Sequence, residues 1–293
     1  MSNQVKGILC ILSAAFFFAL MTVFVRLAGD LPTMEKALFR NAVALVVSIV
    51  ILLRSKEKIV FKKPIVRDLF FRAFFGTIGL VCNFYAIDQM NISDANMLNK
   101  LSPFFAILMS IFILKEKAKK MDWIIVAIAF IGAMFVVKPS FSMAAVPGII
   151  GFIGGFGAGV AYTFVRKLGT HGVKGPVIVF FFSAFSTLVC LPFAIIQYQP
   201  MSWKQFLFLL LAGIVATGGQ LSITAAYTFA PAKDISVYDY SQVIFAAIFG
   251  FFIFSQHPDV LSVIGYVVII GVAVFKFLYE KKKARKSAST SDI

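Results

Sequence analysis

Ten long apolar runs, separated by short loops that carry most of the lysines and arginines, take up nearly all of this 293-residue chain. Hydrophobic residues make up 60% of the sequence and charged residues 14%, whereas a soluble protein has roughly 25% charged residues. Each run approaches the roughly 20 residues that an α-helix needs to cross a bilayer. We therefore predict an all-α integral membrane protein with ten transmembrane helices, called spans 1 to 10, at residues 5–28, 33–53, 67–90, 94–114, 121–138, 146–168, 175–197, 204–229, 233–254 and 260–279.

The distribution of positive charge among the loops predicts the orientation. If the N-terminus is cytoplasmic, the inside loops and ends hold most Lys and Arg residues, with Arg72 counted among them, and the outside holds only four: Arg26, Lys36, Lys138 and Lys204. Cytoplasmic loops of membrane proteins are enriched in this way, so we expect a cell-membrane protein with both termini in the cytoplasm and a retained first span. The same pattern explains the formal charge of +15 without a nucleic-acid partner.

A shift of 140 residues brings the two halves of the chain into register. The segment TVFVRLAG at 22–29 falls on YTFVRKLG at 162–169, and Gly79 falls on Gly219. The same shift aligns polar positions of spans 4 and 9: Asn96 with Ser236, Asn99 with Asp239, Lys100 with Tyr240, and Ser102 with Gln242. We interpret residues 1–140 and 141–280 as two repeats, followed by a basic cytoplasmic tail at 281–293.

Each predicted repeat has five spans, an odd number, so the second repeat enters the membrane from the opposite side. Such inverted repeats in secondary transporters surround a central substrate site near the bilayer midplane, and rocking of one repeat against the other gives alternating access. The polar residues of spans 4 and 9 are then expected to face each other across this cavity. Pro103 predicts a kink in span 4, because proline disturbs the helical hydrogen-bond ladder.

The chain resembles the EamA branch of the drug/metabolite transporter superfamily. The resemblance lies in the paired five-span repeats and in two stretches, FYAIDQMNISDANMLNKLSPFFAILMSIFILKEK at 84–117 and APAKDISVYDYSQVIFAAIFGFFIF at 230–254. Ser255 and Gln256 depart from the Gly-Glu pair that the family often has, so this second loop motif is given no role. The resemblance implies a cavity built mainly from spans 1, 3, 4, 6, 8 and 9, and solutes that are often carried outward.

Three charged residues within spans are the main site candidates. Asp239 is the one carboxylate well inside a predicted span, and it is either a proton-coupling group, a counter-charge for a cationic substrate group, or a structural partner of a nearby base. Lys100 either holds an anionic substrate group or pairs with Asp239 across the cavity. Arg40, in a span expected to be peripheral, either supports the site electrostatically or has a purely structural partner.

Further candidates are polar or aromatic side chains on the predicted cavity helices. As substrate-binding residues we predict Asn83, Tyr85, Asn96, Asn99, Lys100, Tyr162, Gln220, Ser222, Tyr227, Ser236, Asp239, Tyr240 and Gln242. The polar residues of spans 3 and 8 among them are alternatively hydrogen-bonding contacts between helices: Asn83, Tyr85, Gln220, Ser222 and Tyr227. Tyr162 and Tyr240 either stack on a substrate or are packing residues. Gly151, Gly155 and Gly159 lie on one face of span 6, and this spacing predicts close helix packing.

These features favour a secondary active transporter of a small polar metabolite, with an amino acid or amino-acid-like solute preferred and export expected from the resemblance. An exporter of cationic or lipophilic drugs is the alternative, and Lys100 and Arg40 argue against it. A membrane enzyme or scaffold is a remote alternative, since the sequence contains no nucleophile motif, no metal-ligand spacing and no phosphate-binding loop for ATP. No cofactor is predicted. The expected partners are the substrate and the lipid bilayer, with the protein a monomer or homodimer.

Overall fold

The computed structural model describes residues 3–55, 62–114, 120–137, 145–229 and 236–291. Within these ranges the chain is helical and contains no strand. Loop segments 56–61, 115–119 and 230–235, which carry many of the positive charges assigned to the inside, lie outside the described residues. The helices correspond in order to spans 1 to 10: Asn3–Leu27, Thr33–Ser55, Lys63–Gln89, Ile92–Asn99 with Ser102–Ile113, Lys120–Val137, Val146–Thr170, Gly175–Ile196, Trp203–Phe229, Ser236–Tyr240 with Ser241–Phe254, and Val260–Ser291.

By length and composition, seven of the described helices are long and apolar enough to cross a membrane. Two shorter apolar helices, Trp123–Val136 and Tyr238–Phe254, belong to spans 5 and 9. Span 3 is in neither group, although it is 27 residues long. It contains buried charged side chains, Asp68 and Arg72 among them, and such residues in a membrane helix usually face a bundle interior or a water-filled cavity.

Helix pairing in the bundle repeats the pattern of the sequence. Exchanging the two repeats replaces span 1 by span 6, span 3 by span 8 and span 4 by span 9. The contact between spans 1 and 8 then corresponds to the contact between spans 6 and 3, and the contact between spans 4 and 6 corresponds to that between spans 9 and 1. Spans 2 and 7 pack together, as do spans 5 and 10, so these pairs are unchanged when the halves are exchanged. The fold is the predicted set of two five-helix repeats related by a pseudo-twofold axis, and the odd number of helices in each makes them inverted.

Spans 4 and 9 are interrupted at equivalent positions. Span 4 ends its first helix at Asn99 and resumes at Ser102. Span 9 begins as a 3-10 helix, Ser236–Tyr240, and becomes α-helical at Ser241. Pro103 explains the first interruption, because a proline lacks an N–H and its ring crowds the carbonyl group four residues earlier. The predicted disturbance of span 4 is therefore confirmed.

The glycines of span 6 bring the interrupted part of span 4 close to it. A Cβ atom at Gly159 would come within 2.7 Å of the carbonyl oxygen of Ser102, and one at Gly151 would come within 2.9 Å of the Leu98 side chain. Gly155, between them, lies against the carbonyl oxygen of Leu98. The predicted packing face of span 6 is confirmed, and it supports both sides of the break.

Two features differ from the sequence-based expectation. The last helix continues to Ser291, well past the predicted end at 279, because the Lys, Arg and Ala residues that follow favour helix and none is a breaker. Arg72, which we counted with the positive charges of the inside loops, lies within the third helix and is only 5% exposed. It belongs to the interior of the bundle.

Candidate functional site

A cavity between the helices is lined by residues from eight spans. Spans 1, 3, 4, 6, 8 and 9 contribute, in agreement with what the family resemblance implied, but Arg40 of span 2 and Phe182 of span 7 also line it. The expectation that span 2 is peripheral is therefore wrong for Arg40. Its guanidinium group is buried because span 2 packs against spans 7 and 8.

An ion pair joins the two interrupted helices at the cavity. Lys100 Nζ lies 2.5 Å from Asp239 Oδ2, and the two side chains are only 6% and 11% exposed. Lys100 follows the end of the first helix of span 4, whereas Asp239 lies in the 3-10 helix of span 9. Of the alternatives for these residues, the structure shows the direct pair, and Lys100 still lines the cavity.

Two further contacts cross between spans 4 and 9. The hydroxyl group of Tyr240 donates a hydrogen bond of 3.2 Å to the carbonyl oxygen of Lys100, a backbone group at the break. Gln242 Nε2 donates to Asn96 Oδ1, while Asn96 Nδ2 donates to the carbonyl oxygen of Ile92 at 2.7 Å. Asn96 and Tyr240 thus hold the two helices together, and Gln242 does so while also lining the cavity.

Two arginines share one aromatic ring at the cavity. The guanidinium carbon of Arg72 lies 3.9 Å from the centre of the Phe182 ring, and that of Arg40 lies 5.4 Å from it. Arg40 Nη1 also donates a hydrogen bond of 2.7 Å to Asn41 Oδ1. A cation over a ring face is stabilised by the ring. The ring has no net negative charge, however, so it does not neutralise either guanidinium group.

The remaining predicted residues divide into three groups. Asn83, Asn99, Tyr162 and Gln220 line the cavity, and Oδ1 of the buried Asn83 has no hydrogen-bond partner among the described residues. Tyr85 and Ser222 are partly buried and are not among the lining residues. The side chains of Tyr227 and Ser236 lie outside the described part of the chain.

Sequence reasoning missed Arg72 and Phe182. A signal for Arg72 was present, because Arg72, Gly76, Gly79 and Asn83 are spaced four, three and four residues apart and so share one face of span 3. All four line the cavity. Phe182 is one of 35 phenylalanines, and nothing in the sequence distinguishes it from the others. In the described ranges, no three His, Cys, Asp or Glu residues come together in a way that could hold a metal ion.

Comparisons with known proteins agree on the family and fold. The model of the EamA-like transporter family matches residues 5–138 and 147–278, once in each half. The chain is 32% identical over 273 residues to the pseudopaline exporter CntI of Pseudomonas aeruginosa, covering 90% of this chain and 93% of that protein. It is 25% identical to a riboflavin transporter of Vibrio cholerae over 97% of each chain. A crystal structure of a protein 16% identical, with a TM-score of 0.65, covers 93% of this chain and 98% of its own; this similarity shows the fold alone.

Proposed function

Because the chain belongs to the EamA-like transporter family, we propose that it exports a small, polar, amino-acid-like metabolite across the cell membrane by alternating access. As a member of this family, the protein is a multi-pass membrane transporter of a small molecule and is not an enzyme. The substrate class, the direction and the mechanism are proposals.

The lining of the cavity carries the proposal for the substrate class. It combines basic side chains with four amides: Asn83, Asn99, Gln220 and Gln242. Amides both donate and accept hydrogen bonds, and basic groups bind carboxylates. A small solute with carboxylate, amine or amide groups can therefore exchange its hydration shell for contacts with these side chains.

The Lys100–Asp239 ion pair disfavours the alternative of a cationic-drug exporter. A cationic substrate requires a carboxylate that is free to act as its counter-charge, but Asp239 is paired with Lys100 at 2.5 Å. The charged lining residues in the described ranges are all basic: Arg40, Arg72 and Lys100. A lipophilic cation would be repelled by this lining.

For the mechanism, the same ion pair is the proposed coupling element. It connects the two interrupted helices, each from a different repeat. A movement that separates these two helices therefore requires the ion pair to break. Protonation of Asp239 would remove the attraction and release Lys100. Asp239 Oδ1, which has no hydrogen-bond partner among the described residues, is the atom at which the proton is proposed to bind.

Two observations support export with both termini in the cytoplasm. One relative, 32% identical over nearly the whole length, is named as an exporter. The sequence places most loop lysines and arginines on the side of the N-terminus, as expected for cytoplasmic loops.

The proposal is tested by ligand screening followed by flux. A substrate that binds the folded protein raises its thermal stability by mass action, so purified protein is heated in the presence of a library of amino acids, amino-acid-like metabolites and lipophilic cations. Solutes that stabilise the protein are then loaded into proteoliposomes, and their movement is measured with and without a pH gradient. We expect polar amino-acid-like solutes to stabilise the protein and to move; stabilisation only by lipophilic cations would contradict the proposal.

A further inference from the structure

Arg40 and Arg72 are the two charged lining residues, among those the structure describes, that take no part in the Lys100–Asp239 ion pair. They come from spans 2 and 3, are each 5% exposed, and line the cavity together with Phe182. From their distances to its ring, 3.9 and 5.4 Å, the two guanidinium carbons lie within about 9 Å of each other, close enough for their charges to repel.

No carboxylate compensates these two charges in the described part of the chain. The ion pairs found there are Lys36–Asp88, Arg67–Asp68, Lys167–Asp68 and Lys100–Asp239. Nε of Arg40 and Nε of Arg72 are buried and have no hydrogen-bond partner there. Since Lys100 is neutralised by Asp239, the described lining keeps an excess of two positive charges.

Space beside Arg72 is kept open by a glycine. A Cβ atom at Gly76 would overlap Nη1 of Arg72 and come within 3.0 Å of the Phe182 ring. Gly76 lines the same cavity, so even a methyl group at this position would crowd the guanidinium group. Asn83 lies on the same face of span 3, and its Oδ1 has no hydrogen-bond partner among the described residues.

We propose that Arg40 and Arg72, supported by the Phe182 ring, bind the carboxylate groups of a substrate that carries a net negative charge. Guanidinium groups present their N–H donors in a planar fork that matches a carboxylate, and the unpaired Nε atoms belong to that fork. A zwitterion with no net charge would leave the excess positive charge uncompensated, whereas a solute with several carboxylates and one amine compensates it. This inference rests on the proposed function and narrows its substrate class to amino-acid-like anions.

The test uses three probes that differ in carboxylate number: glutamine, glutamate and γ-carboxyglutamate, with one, two and three carboxylates. Thermal stabilisation of the detergent-purified protein is titrated with each probe at pH 7.4 and constant ionic strength, with inorganic phosphate as a separate arm. The variants are Arg72→Gln, Arg72→Lys and Arg40→Gln. The matched control is Arg67→Gln, five residues earlier in span 3, where the side chain is 62% exposed.

In the wild type, affinity is expected to rise from glutamine to γ-carboxyglutamate. Arg72→Gln and Arg40→Gln should each weaken binding of γ-carboxyglutamate about 10- to 100-fold, the loss expected for one charge-assisted contact, and Arg72→Lys should retain part of it. Arg67→Gln should bind like the wild type. Without a probe, Arg72→Gln should be no less stable than the wild type, because it removes an uncompensated buried charge, whereas a purely structural arginine predicts a loss of stability.

Affinity that does not depend on carboxylate number, or that is equal in Arg72→Gln and wild type, overturns the inference. Stabilisation by phosphate alone assigns the arginines to a phosphate-bearing solute and also overturns it. Transport of neutral amino-acid-like solutes, unaffected by either arginine variant, would leave the proposed function standing while removing this inference. If none of the solutes in the functional screen moves, the proposed function itself fails.

Discussion

Breaking the Lys100–Asp239 ion pair from one side should destabilise the protein far more than removing both charges. The proposed changes are Lys100→Met, Asp239→Asn and the double variant. At 2.5 Å the attraction is about 7 kcal/mol at an effective dielectric constant of roughly 20, and the desolvation of two buried ions offsets much of it. Each single change leaves one buried charge uncompensated, which typically costs about 3–5 kcal/mol, whereas removing both members of such a pair is close to neutral.

The measurement is thermal unfolding of the four proteins in the same detergent at pH 7. At roughly 2 °C per kcal/mol for a long chain, each single variant should lose about 6–10 °C, and the double variant should recover most of that loss. With a cost of about 3–5 kcal/mol for each single change and a nearly neutral double variant, the coupling energy in the double-mutant cycle should be roughly 6–10 kcal/mol, above the usual range for residues in contact. If the two single effects simply add, the buried pair does not stabilise the contact between spans 4 and 9, and the reasoning is wrong.

Three further predictions concern packing, coupling and access. Gly157→Ala should lower stability by about 1–3 kcal/mol, because its Cβ would lie 2.9 Å from backbone atoms of Phe75 and Gly79. Thermal unfolding checks this against Gly169→Ala in the same helix, where a Cβ meets nothing within 4 Å and no loss is expected. Asp239→Asn should make transport in proteoliposomes insensitive to the pH gradient, because an amide cannot carry the proposed proton; transport that keeps the wild-type pH dependence would remove Asp239 from coupling. A cysteine replacing Asn99, which lines the cavity, should react with a membrane-impermeant thiol reagent, and substrate should slow the reaction; labelling blocked from both sides of the membrane would contradict a water-accessible cavity.

Several features of the fold could be predicted because they depend on local chemistry. Hydrophobic runs long enough for a bilayer indicate helices, since backbone groups in hydrocarbon must be hydrogen-bonded within the chain. The 140-residue shift indicates the repeat, and Pro103 indicates the break after Asn99 through its own covalent geometry. The glycine face of span 6 was predicted in the same way, from spacing along one helix.

The partners of the polar side chains were less predictable, because each sits on a different helix far along the chain. Lys100 and Asp239 are 139 residues apart and Asn96 and Gln242 are 146 apart, so their contacts depend on how the two repeats pack. The sequence placed Lys100 and Asp239 at similar depths and offered the direct pair as one alternative. It assigned Asn96 to the substrate, although the structure uses this amide to hold span 9.

The sequence by itself determined the ten helices, their internal repeat, the interruption of span 4 and the polar character of spans 4 and 9, because hydrophobicity, helical spacing and proline geometry act within one segment. Only the tertiary structure decided that Arg40 and Arg72 share the ring of Phe182 and that Lys100 is already neutralised by Asp239. The physical reason is that the charge available to a substrate is what remains after the buried groups have found partners. That remainder depends on which helices are neighbours.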